Sequence, residues 1–490
     1  MNRLYTNGHH TSRLYTAAES RAIDGRAIND LGFPGFDLMC RAARFAANVF
    51  LDEWPDAGQA SVVAGKGNNA GDGYVMGAML AQAGVNVRLF QVGSPPDQGD
   101  GALAVTYAAE RGLHAEAFAA DALRGVVVDA LLGTGVSGAL RAEFAEAVRA
   151  INASGCPVMA VDLPTGVNAD TGGPVGPEDE VVRADVTPTF IARKIGLHTG
   201  HGLEVCGREV FDDLQVPRQA YAGGVPWLRQ LTPRVPLRTN AYKHARGHVV
   251  VVGGHLSMGG AVILAGEAAL RCGAGMVTIA TRPEHRPAVL ARRPEVMVMD
   301  ADDRDALAGL LNRATVVVLG PGLGRDAWSS ALYRFVMDAE PERLLVDADG
   351  LYHLADRPSP LSAKASVVTP HVAEAARLLG SSAREVQIDR PAAARALHER
   401  FGAVSVLKGA GSLVAGDAGI SICGRGTPAM ATAGMGDVLC GVIAAGLCRA
   451  EAYEAVCEGV LKHAVAGEQA HERVGDGLVA TDLFPELARL

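Results

Sequence analysis

Residues 60–83 read ASVVAGKGNNAGDGYVMGAMLAQA: a β-branched run, a turn containing Gly65, Gly67, Gly71 and Gly73, and an apolar segment of helical length. A strand, a glycine turn and a helix in this order are typical of a βα unit. Glycines there let the backbone bend sharply and aim several N–H groups at one point, which suits an anionic ligand. The spacing is neither G-x-G-x-x-G nor the P-loop pattern, so a standard dinucleotide or Walker site is not indicated.

The alternation of strands and helices continues on both sides of this stretch. The elements predicted for the first half are, in chain order, residues 60–64, 73–83, 85–92, 99–111, 126–132, 141–153 and 158–163. Before them, Thr16 and Glu19 have the spacing of a capping box and predict a helix that ends near Asn29. This pattern is typical of a parallel sheet with helices on both faces, so we predict a Rossmann-like α/β domain.

The second half has the same α/β rhythm. Residues 214–243 contain many prolines and glycines without a sustained period, and they predict a linker between a domain at 1–225 and a domain at 226–490. Beyond it, the predicted strands and one helix are residues 248–252, 260–271, 276–281, 316–319, 344–346, 367–369 and 404–407. The glycine motifs of the two halves differ in spacing and order, so the chain is not an internal duplication.

Composition excludes several functional classes. The 490 residues are 49% hydrophobic and carry a net charge of −9 without a basic run, which disfavours nucleic acid as a partner. Eight cysteines lie scattered without a Cys-x-x-Cys pair, which indicates free thiols and not a disulfide frame or zinc site. No 18 apolar residues run together and the first residues do not resemble a signal peptide, so we expect a soluble cytoplasmic protein with no membrane partner.

Polar residues end two further strands of the first half. Asp129 lies toward the end of one predicted strand, and Asp162 and Thr165 lie at and just after the end of the next. In open parallel sheets, ligands bind outside the carboxyl ends of the strands, where these loops and the glycine turn converge. Either aspartate alone would more often be a helix cap or turn residue, but three such loops together favour a binding site.

With these motifs, the first half resembles the YjeF N-terminal family of NAD(P)H-hydrate epimerases over about residues 10–220. The resemblance implies a potassium ion held by oxygens of Asn69, Asp129 and Thr165, a ligand set that suits a hard cation. It implies that Asp162 binds substrate and is the acid–base residue. It also places substrate at Asn68, Asn69, Ala70, Gly71, Asp72, Gly133, Thr134, Gly135, Val136, Ser137, Gly138 and Ala139. Lys66 and Ala70 depart from the usual residues of the family.

The implied reaction takes place at C6 of hydrated NADH or NADPH. The lone pair of the neighbouring ring nitrogen can expel the C6 hydroxyl, and a carboxyl group can assist its departure and its return on either face. R and S forms would interconvert without redox change, with acid–base help worth roughly 10² to 10⁴ in rate.

The strongest motif of the second half is Thr432-Ala433-Gly434-Met435-Gly436-Asp437, which opens an apolar helix predicted to end near Cys448. Amides at a helix start can neutralise phosphate charge, and Asp437 is placed to accept a proton from a hydroxyl. The segment Lys408-Gly409-Ala410-Gly411-Ser412 supplies a cation, a flexible backbone and a hydroxyl for a nucleotide phosphate. By itself it is equally compatible with a hairpin turn.

Together with residues 320–324, 346–350 and 369–371, these motifs resemble the YjeF C-terminal family, ADP/ATP-dependent NAD(P)H-hydrate dehydratases of ribokinase-like fold. The resemblance spans about residues 235–490 and implies hydrate contacts at Ala261, Gly324, His371 and Asp437. It implies nucleotide contacts at Lys408, Gly409, Ala410, Gly411, Ser412 and Gly436, with Mg²⁺ bridging the phosphates. Asp437 would deprotonate the C6 hydroxyl, which is phosphorylated and then leaves as phosphate to restore NAD(P)H.

The two resemblances predict a bifunctional repair enzyme whose partners are hydrated NADH or NADPH and ADP or ATP. The sequence does not decide between ADP and ATP, although bacterial fusions of this family generally use ADP. It also leaves open the preference for NADH or NADPH and whether substrate passes directly between the two sites. We expect a homo-oligomer, although the sequence does not reveal its size.

Two alternatives come from other classes. A ribokinase-like small-molecule kinase would use the same second-domain motifs and would release a stable phosphorylated product. A non-catalytic nicotinamide-nucleotide sensor would use the first domain for binding alone, and it would show no epimerisation.

Overall fold

The computed structural model describes residues 12–136, 138–232, 242–363 and 365–490. The chain divides into two compact units, residues 1–226 and 227–490. Part of the predicted linker, residues 233–241, lies outside the described residues. Among the described helices, none is both long enough and apolar enough to cross a bilayer.

The first unit alternates strands and helices. Its elements, in chain order, are β1 Arg13–Leu14, α1 Ala17–Asn29, α2 Gly35–Glu53, β2 Gln59–Ala64, α3 Asn68–Gln82, β3 Asn86–Gln91, α4 Gly99–Ala109, β4 Ala115–Ala117, β5 Val126–Ala130, α5 Ala142–Ala153, β6 Val158–Ala160, β7 Val186–Phe190, α6 Gly200–Val205, β8 Arg208–Asp212 and β9 Val225–Leu228, whose last two residues belong to the second unit. The capping box of α1 is confirmed, because Glu19 N–H donates to Thr16 Oγ1 at 3.2 Å and Thr16 N–H donates to Glu19 Oε2 at 2.9 Å.

Seven parallel strands form the sheet of this unit, in the order β4-β3-β2-β5-β6-β7-β8. The chain moves outward from β2 to one edge, returns to β5 and moves outward to the other edge. Successive residues of β2 belong to different core clusters, with Val62 in one and Val63 in the other. Because strand side chains alternate between faces, both faces of the sheet are covered, as the Rossmann-like prediction required.

The second unit has more elements. They are β10 His248–Val252, α7 Gly259–Arg271, β11 Met276–Thr281, α8 Arg286–Arg292, β12 Met297–Asp300, α9 Arg304–Leu311, β13 Val316–Leu319, α10 Ala327–Asp338, β14 Arg343–Val346, α11 Asp349–Asp356, β15 Ala365–Val368, α12 Val372–Leu379, α13 Ala383–Ile388, α14 Arg390–Phe401, β16 Val404–Leu407, β17 Leu413–Gly416, β18 Gly419–Cys423, α15 Met435–Leu447, α16 Ala452–Val474 and α17 Leu483–Arg489.

Its strands lie in the order β12-β11-β10-β13-β14-β15-β16-β17-β18. Pairing is parallel from β12 to β16, and β17 and β18 then add two antiparallel neighbours. The α/β class predicted for both halves is confirmed. The eight cysteines are free thiols, as predicted.

Candidate functional site

In the first unit, a cleft of about 450 Å³ opens at the point where the strand order reverses, between β2 and β5. Its walls come from α1, α2 and the segments after β2, β5, β6 and β7. Ligands of open parallel sheets bind at such reversal points, because neighbouring loops there turn in opposite directions and leave a crevice. Of the residues predicted from the sequence, the cleft brings together Asn68, Asn69, Asp72, Gly133, Thr134, Gly135, Val136 and Asp162.

Helix α3 begins earlier than predicted, at Asn68 and not at Gly73, so the Asn-Asn segment is helical. Its N-cap is Gly67, which has no side chain to bond the first N–H groups of the helix. An uncapped helix start offers those N–H groups, and its positive dipole end, to an anionic ligand.

Four predicted substrate contacts do not line this cleft among the described residues. Ala70 is fully buried in the core and Gly71 is buried beside it, so the geometry gives both a packing role. Gly138 and Ala139 are exposed and lie outside the cleft walls. Ser137 lies outside the described residues.

The three predicted potassium ligands surround the end of β5. Asp129 is fully buried and accepts from Thr165 Oγ1 and Thr165 N–H at 2.8 Å and from Leu131 N–H at 3.1 Å. Burial raises the pKa of Asp129 to about 6, against the effect of these donors. A buried carboxylate with so high a pKa favours a nearby positive charge.

Asn69 adds the amide of this predicted site. It is 8% exposed, and within the described ranges neither its Oδ1 nor its Nδ2 has a hydrogen-bond partner. An unpaired buried amide is costly, so a ligand at Oδ1 would satisfy it. The set of carboxylate, amide and hydroxyl oxygens fits a hard cation such as K⁺. The described residues contain no grouping of three or more His, Cys, Asp or Glu side chains that could hold a metal ion.

Asp162 occupies a tight turn after β6. Its φ is +68°, a left-handed conformation that non-glycine residues seldom adopt. Leu163 N–H donates to Val161 O at 2.8 Å, and Asp162 N–H donates to Pro188 O at 2.8 Å. The turn is therefore held from both sides, and it fixes the carboxyl group at the cleft.

Sequence analysis missed four charged groups of this cleft, which are Arg21 and Asp24 on α1, Asp100 on α4 and Lys194 after β7. Lys194 Nζ donates to Asp162 Oδ1. Burial raises the pKa of Asp72 well above its usual range, and the Asp162 charge raises it further. Burial and the Asp100 charge also raise the pKa of Asp24. Lys194 follows a strand end, a signal that was overlooked because β7 itself was not predicted.

In the second unit, the strand order reverses between β10 and β13. The loops that follow these strands contact each other, since His255 N–H donates to Gly322 O at 2.6 Å. Ala261 lies in the first turn of α7, and Gly324 N–H donates to Asp349 Oδ2 at 3.0 Å. Two of the predicted hydrate contacts thus lie on the loops at this reversal point.

A buried ion pair lies at the ends of β14 and β16. Lys408 Nζ donates to Asp347 Oδ1 at 2.8 Å and lies 3.9 Å from Glu374 Oε2, and Cys440 Sγ donates to Asp347 Oδ2 at 3.0 Å. Burial acts to raise the pKa of Asp347, but the Lys408 charge and the hydrogen bonds from Cys440, Lys408 and Thr369 together outweigh it, and the pKa is lowered. The lysine predicted to hold a nucleotide phosphate is therefore also an internal counter-ion.

The predicted nucleotide loop after Lys408 is the hairpin between the antiparallel strands β16 and β17. Gly409 and Ala410 are exposed at its tip, whereas Gly411 and Ser412 are partly covered. Below it, Arg390 is 1% exposed and donates to Lys408 O at 3.4 Å. Both earlier interpretations of the segment, hairpin and candidate nucleotide loop, are compatible with this geometry.

Gly436 and Asp437 lie in the first turn of α15, next to the ion pair. A Cβ at Gly436 would lie 3.4 Å from Lys408 Nζ and 3.7 Å from Asp347 Oδ2. Burial, with the Asp347 charge adding to it, raises the pKa of Asp437 to about 7. A carboxyl group with a pKa near neutrality is suited to proton transfer at physiological pH.

His371 is the N-cap of α12. Its Nδ1 accepts from Ala373 N–H at 3.1 Å and Glu374 N–H at 3.3 Å, so its proton is on Nε2. Burial and the Lys408 charge lower its pKa, while burial raises the pKa of Glu374 to about 7. The ring is therefore a neutral N–H donor whose side chain stays 56% exposed to a ligand.

Comparison with known proteins matches both halves. The family model described as NAD(P)H-hydrate dehydratase matches residues 249–489, and the model of the YjeF-related protein N-terminus matches residues 35–196. Each match falls inside one of the two units.

Curated relatives match nearly the whole chain. A bifunctional NAD(P)H-hydrate repair enzyme of Coxiella burnetii is 40% identical over 97% of this chain and 98% of its own length. One from Escherichia coli is 38% identical over 97% of this chain and 93% of its own length. Among solved structures, the ADP/ATP-dependent NAD(P)H-hydrate dehydratase of Bacillus subtilis, co-crystallised with ATP and Mg²⁺, is 27% identical, covers 55% of this chain and 98% of its own, and has a TM-score of 0.49.

Proposed function

Because the chain belongs to the family of bifunctional NAD(P)H-hydrate repair enzymes, we propose that residues 1–225 carry its epimerase and residues 226–490 its dehydratase. The enzyme repairs hydrated NADH and NADPH by interconverting the R and S hydrates and by dehydrating the S hydrate with ADP or ATP. One observation carries this assignment of one activity to each half. Each family match lies within one compact unit, and that unit contains the residues of its own proposed site.

For the epimerase, the cleft at the end of β2 and β5 is proposed to hold the hydrated nicotinamide. Asn68, Asn69 and Asp72 would contact it from the start of α3, and Gly133, Thr134, Gly135 and Val136 from the loop after β5. Asp162 would exchange protons with the C6 hydroxyl, because it is the acid on the cleft wall that is fixed by both its backbone turn and a buried lysine.

Asn69, Asp129 and Thr165 are proposed to hold a potassium ion. The support is the unpaired buried amide of Asn69 and the raised pKa of Asp129. When bound, the ion would balance the Asp129 charge and fix the three loops that form the cleft floor.

For the dehydratase, Asp437 is proposed to accept the proton of the C6 hydroxyl as that oxygen attacks the terminal phosphate of the nucleotide. Loss of phosphate from C6 and of a proton from C5 then forms the C5=C6 double bond and restores NAD(P)H. Ala261, Gly324 and His371 would bind the hydrate, and the hairpin with Lys408 through Ser412, together with Gly436, would bind the nucleotide.

Mg²⁺ is proposed to accompany the nucleotide. The site places the carboxyl groups of Asp347, Asp437 and Glu374 around one lysine, so that more acidic than basic groups surround the nucleotide phosphates and a divalent cation would offset their charge. We also propose a cytoplasmic location, which the free thiols support. The homo-oligomer stays a prediction, to be tested by sedimentation.

The deciding experiment mixes R and S hydrated NADH with the enzyme, K⁺, Mg²⁺ and ADP or ATP, and follows recovery of absorbance at 340 nm. Conversion of both epimers by the wild type is expected, with none by Asp437→Asn and slowed recovery of only the R form by Asp162→Asn. Failure of nucleotide-dependent recovery, with a stable phosphorylated product instead, would favour a small-molecule kinase.

A further inference from the structure

Lys194 is the most deeply buried charge of the epimerase cleft. Its side chain is 2% exposed, and Nζ donates to Asp162 Oδ1, to Thr189 Oγ1 at 3.0 Å and to Phe190 O at 3.0 Å. A buried ammonium group is tolerated only when paired and fully hydrogen-bonded, and here the three acceptors satisfy its three protons. No motif in the sequence assigned this lysine a role.

The donors around Asp162 converge on one oxygen. Besides Lys194, Thr189 Oγ1 donates to Asp162 Oδ1 at 3.1 Å and Phe190 N–H donates to it at 3.3 Å. Among the described residues, Oδ2 has no such donor, and Asp162 lines the cleft. Hydrogen bonds to Oδ1 therefore hold the carboxyl group in one orientation, and Oδ2 is available to a ligand.

Asp72 lines the same cleft, but its surroundings differ from those of Asp162. It comes from α3 after β2, whereas Asp162 follows β6, and β5 lies between these two strands in the sheet. Burial, with the Asp162 and Asp24 charges adding to it, raises the pKa of Asp72 well above its usual range. Other charged groups that face the cleft are Arg21, Asp24 and Asp100.

Two carboxyl groups at one site whose surroundings differ in this way are typically divided between acid and base roles. We propose that Lys194 is a positioning residue of the epimerase, which holds the Asp162 carboxyl group in the orientation in which Oδ2 accepts a proton as the base, while Asp72 serves as the acid on the other side of the substrate. This inference rests on the proposed epimerase function of the first unit.

The proposed steps conserve atoms and electrons. Asp72 gives its proton to the C6 hydroxyl, the C6–O bond breaks with release of water, and the lone pair of N1 forms a C6=N1 double bond. Water then adds to C6 from the opposite face and gives a proton to Asp162, while the electron pair returns to N1. The carboxyl groups have exchanged protonation states, and this second form catalyses the reverse reaction or re-equilibrates with solvent.

The test compares Lys194→Met, Lys194→Arg and Asp72→Asn with the wild type, starting from purified R hydrate without nucleotide. The R to S ratio is followed by chromatography from pH 5 to pH 9. Because Lys194→Met removes a donor that orients Asp162 without changing the other residues of the cleft, it should lower kcat by roughly 10² to 10⁴ and leave KM nearly unchanged. Lys194→Arg, which keeps a donor to Asp162, should restore most of kcat, and Asp72→Asn should lose roughly 10² to 10⁴ in kcat.

Circular dichroism and thermal unfolding show whether the first unit of each variant is folded, and dehydration of purified S hydrate is the matched check on the second unit. An unchanged kcat in Lys194→Met, or a rise in KM with kcat retained, would overturn the positioning role. Full turnover by Asp72→Asn would overturn the acid role. No epimerisation by the wild type would instead overturn the proposed function itself.

Discussion

At the scale of single residues, burial controls the acidic side chains of both sites. Asp129 and Asp437 have pKa values raised to about 6 and about 7, chiefly by burial. For Asp129 the opposing effects are hydrogen bonds, whereas for Asp437 the Asp347 charge adds and the Lys408 charge subtracts. The two carboxyl groups therefore suit different roles, one as a cation ligand and the other as a base.

Dehydration should depend on pH through Asp437. Its protonated form cannot accept a proton, so kcat/KM for S hydrate should rise between pH 6 and pH 8 with an apparent pKa of about 7. Recovery at 340 nm measures this. Asp437→Asn should lose roughly 10² to 10⁴ in rate at every pH.

Two control variants make the assignment specific. Asp417→Asn changes a fully exposed carboxyl group in the turn between β17 and β18. This variant should keep the wild-type dependence of kcat/KM on pH. Glu374→Gln removes the second group with a pKa of about 7, and kcat/KM of this variant should still rise between pH 6 and pH 8. A limb that disappears in Glu374→Gln would show that Glu374, and not Asp437, is the base.

Stability should depend on K⁺ and pH through Asp129. Its folded pKa of about 6 exceeds the ordinary value of 3.8, so without a cation its contribution to stability is full below the ordinary value and is lost as pH rises through about 6. K⁺ should raise Tm at pH 7.5 and have little effect at pH 5, where protons compete for Asp129. Thermal unfolding in KCl against tetramethylammonium chloride measures this. A K⁺ effect of equal size in Asp129→Asn would contradict the assignment.

At the scale of elements, the sequence predicted the strands that are continuous apolar runs. The predicted bounds of β10, β11, β13 and β16 agree with the structure. Strand β7 was missed because Val186–Phe190 contains Pro188, which disfavours a central strand, and because two polar threonines interrupt its apolar run. Helix α2 was missed because Pro34 precedes it and provides no side-chain cap.

The segments that follow β2 and β5 approach each other closely, and substitutions of two glycines test this contact. A Cβ at Gly65 would lie 2.0 Å from Leu131 O, whereas a Cβ at Gly67 would meet nothing within 4 Å. Gly65→Ala should destabilise the first unit by about 1 to 3 kcal/mol, the usual cost of overpacking. The matched control Gly67→Ala has no such clash and should cost less, about 0.5 to 1 kcal/mol, because alanine is less favourable than glycine at an N-cap. Urea unfolding measures both, and equal effects would contradict the geometry.

At the scale of the whole molecule, both sheets have the same kind of order, with two strands on one side of the first central strand, β2 or β10, and the rest on the other side. The motifs predicted which loops carry chemistry, because carboxyl ends of parallel strands share one edge. They could not predict pairs such as Cys440 with Asp347, 93 positions apart, or Lys194 with Asp162, 32 apart. Such contacts depend on how helices pack on the sheet, which no local pattern records.

Each proposed site is built from residues of one unit, so a substitution in one site should leave the activity of the other site intact. The cleft residues lie between Ser20 and Leu214, and the dehydratase residues lie between His255 and Cys440. Asp162→Asn should therefore still dehydrate S hydrate, and Asp437→Asn should still equilibrate R and S hydrates. An equimolar mixture of the two variants should convert an R and S mixture completely, because the S hydrate formed on one chain can diffuse to the other. Recovery at 340 nm of the mixture, against each variant alone, measures this complementation. If the mixture recovered no more than Asp162→Asn alone while both single activities persisted, the hydrate would have to pass between sites of one chain without release.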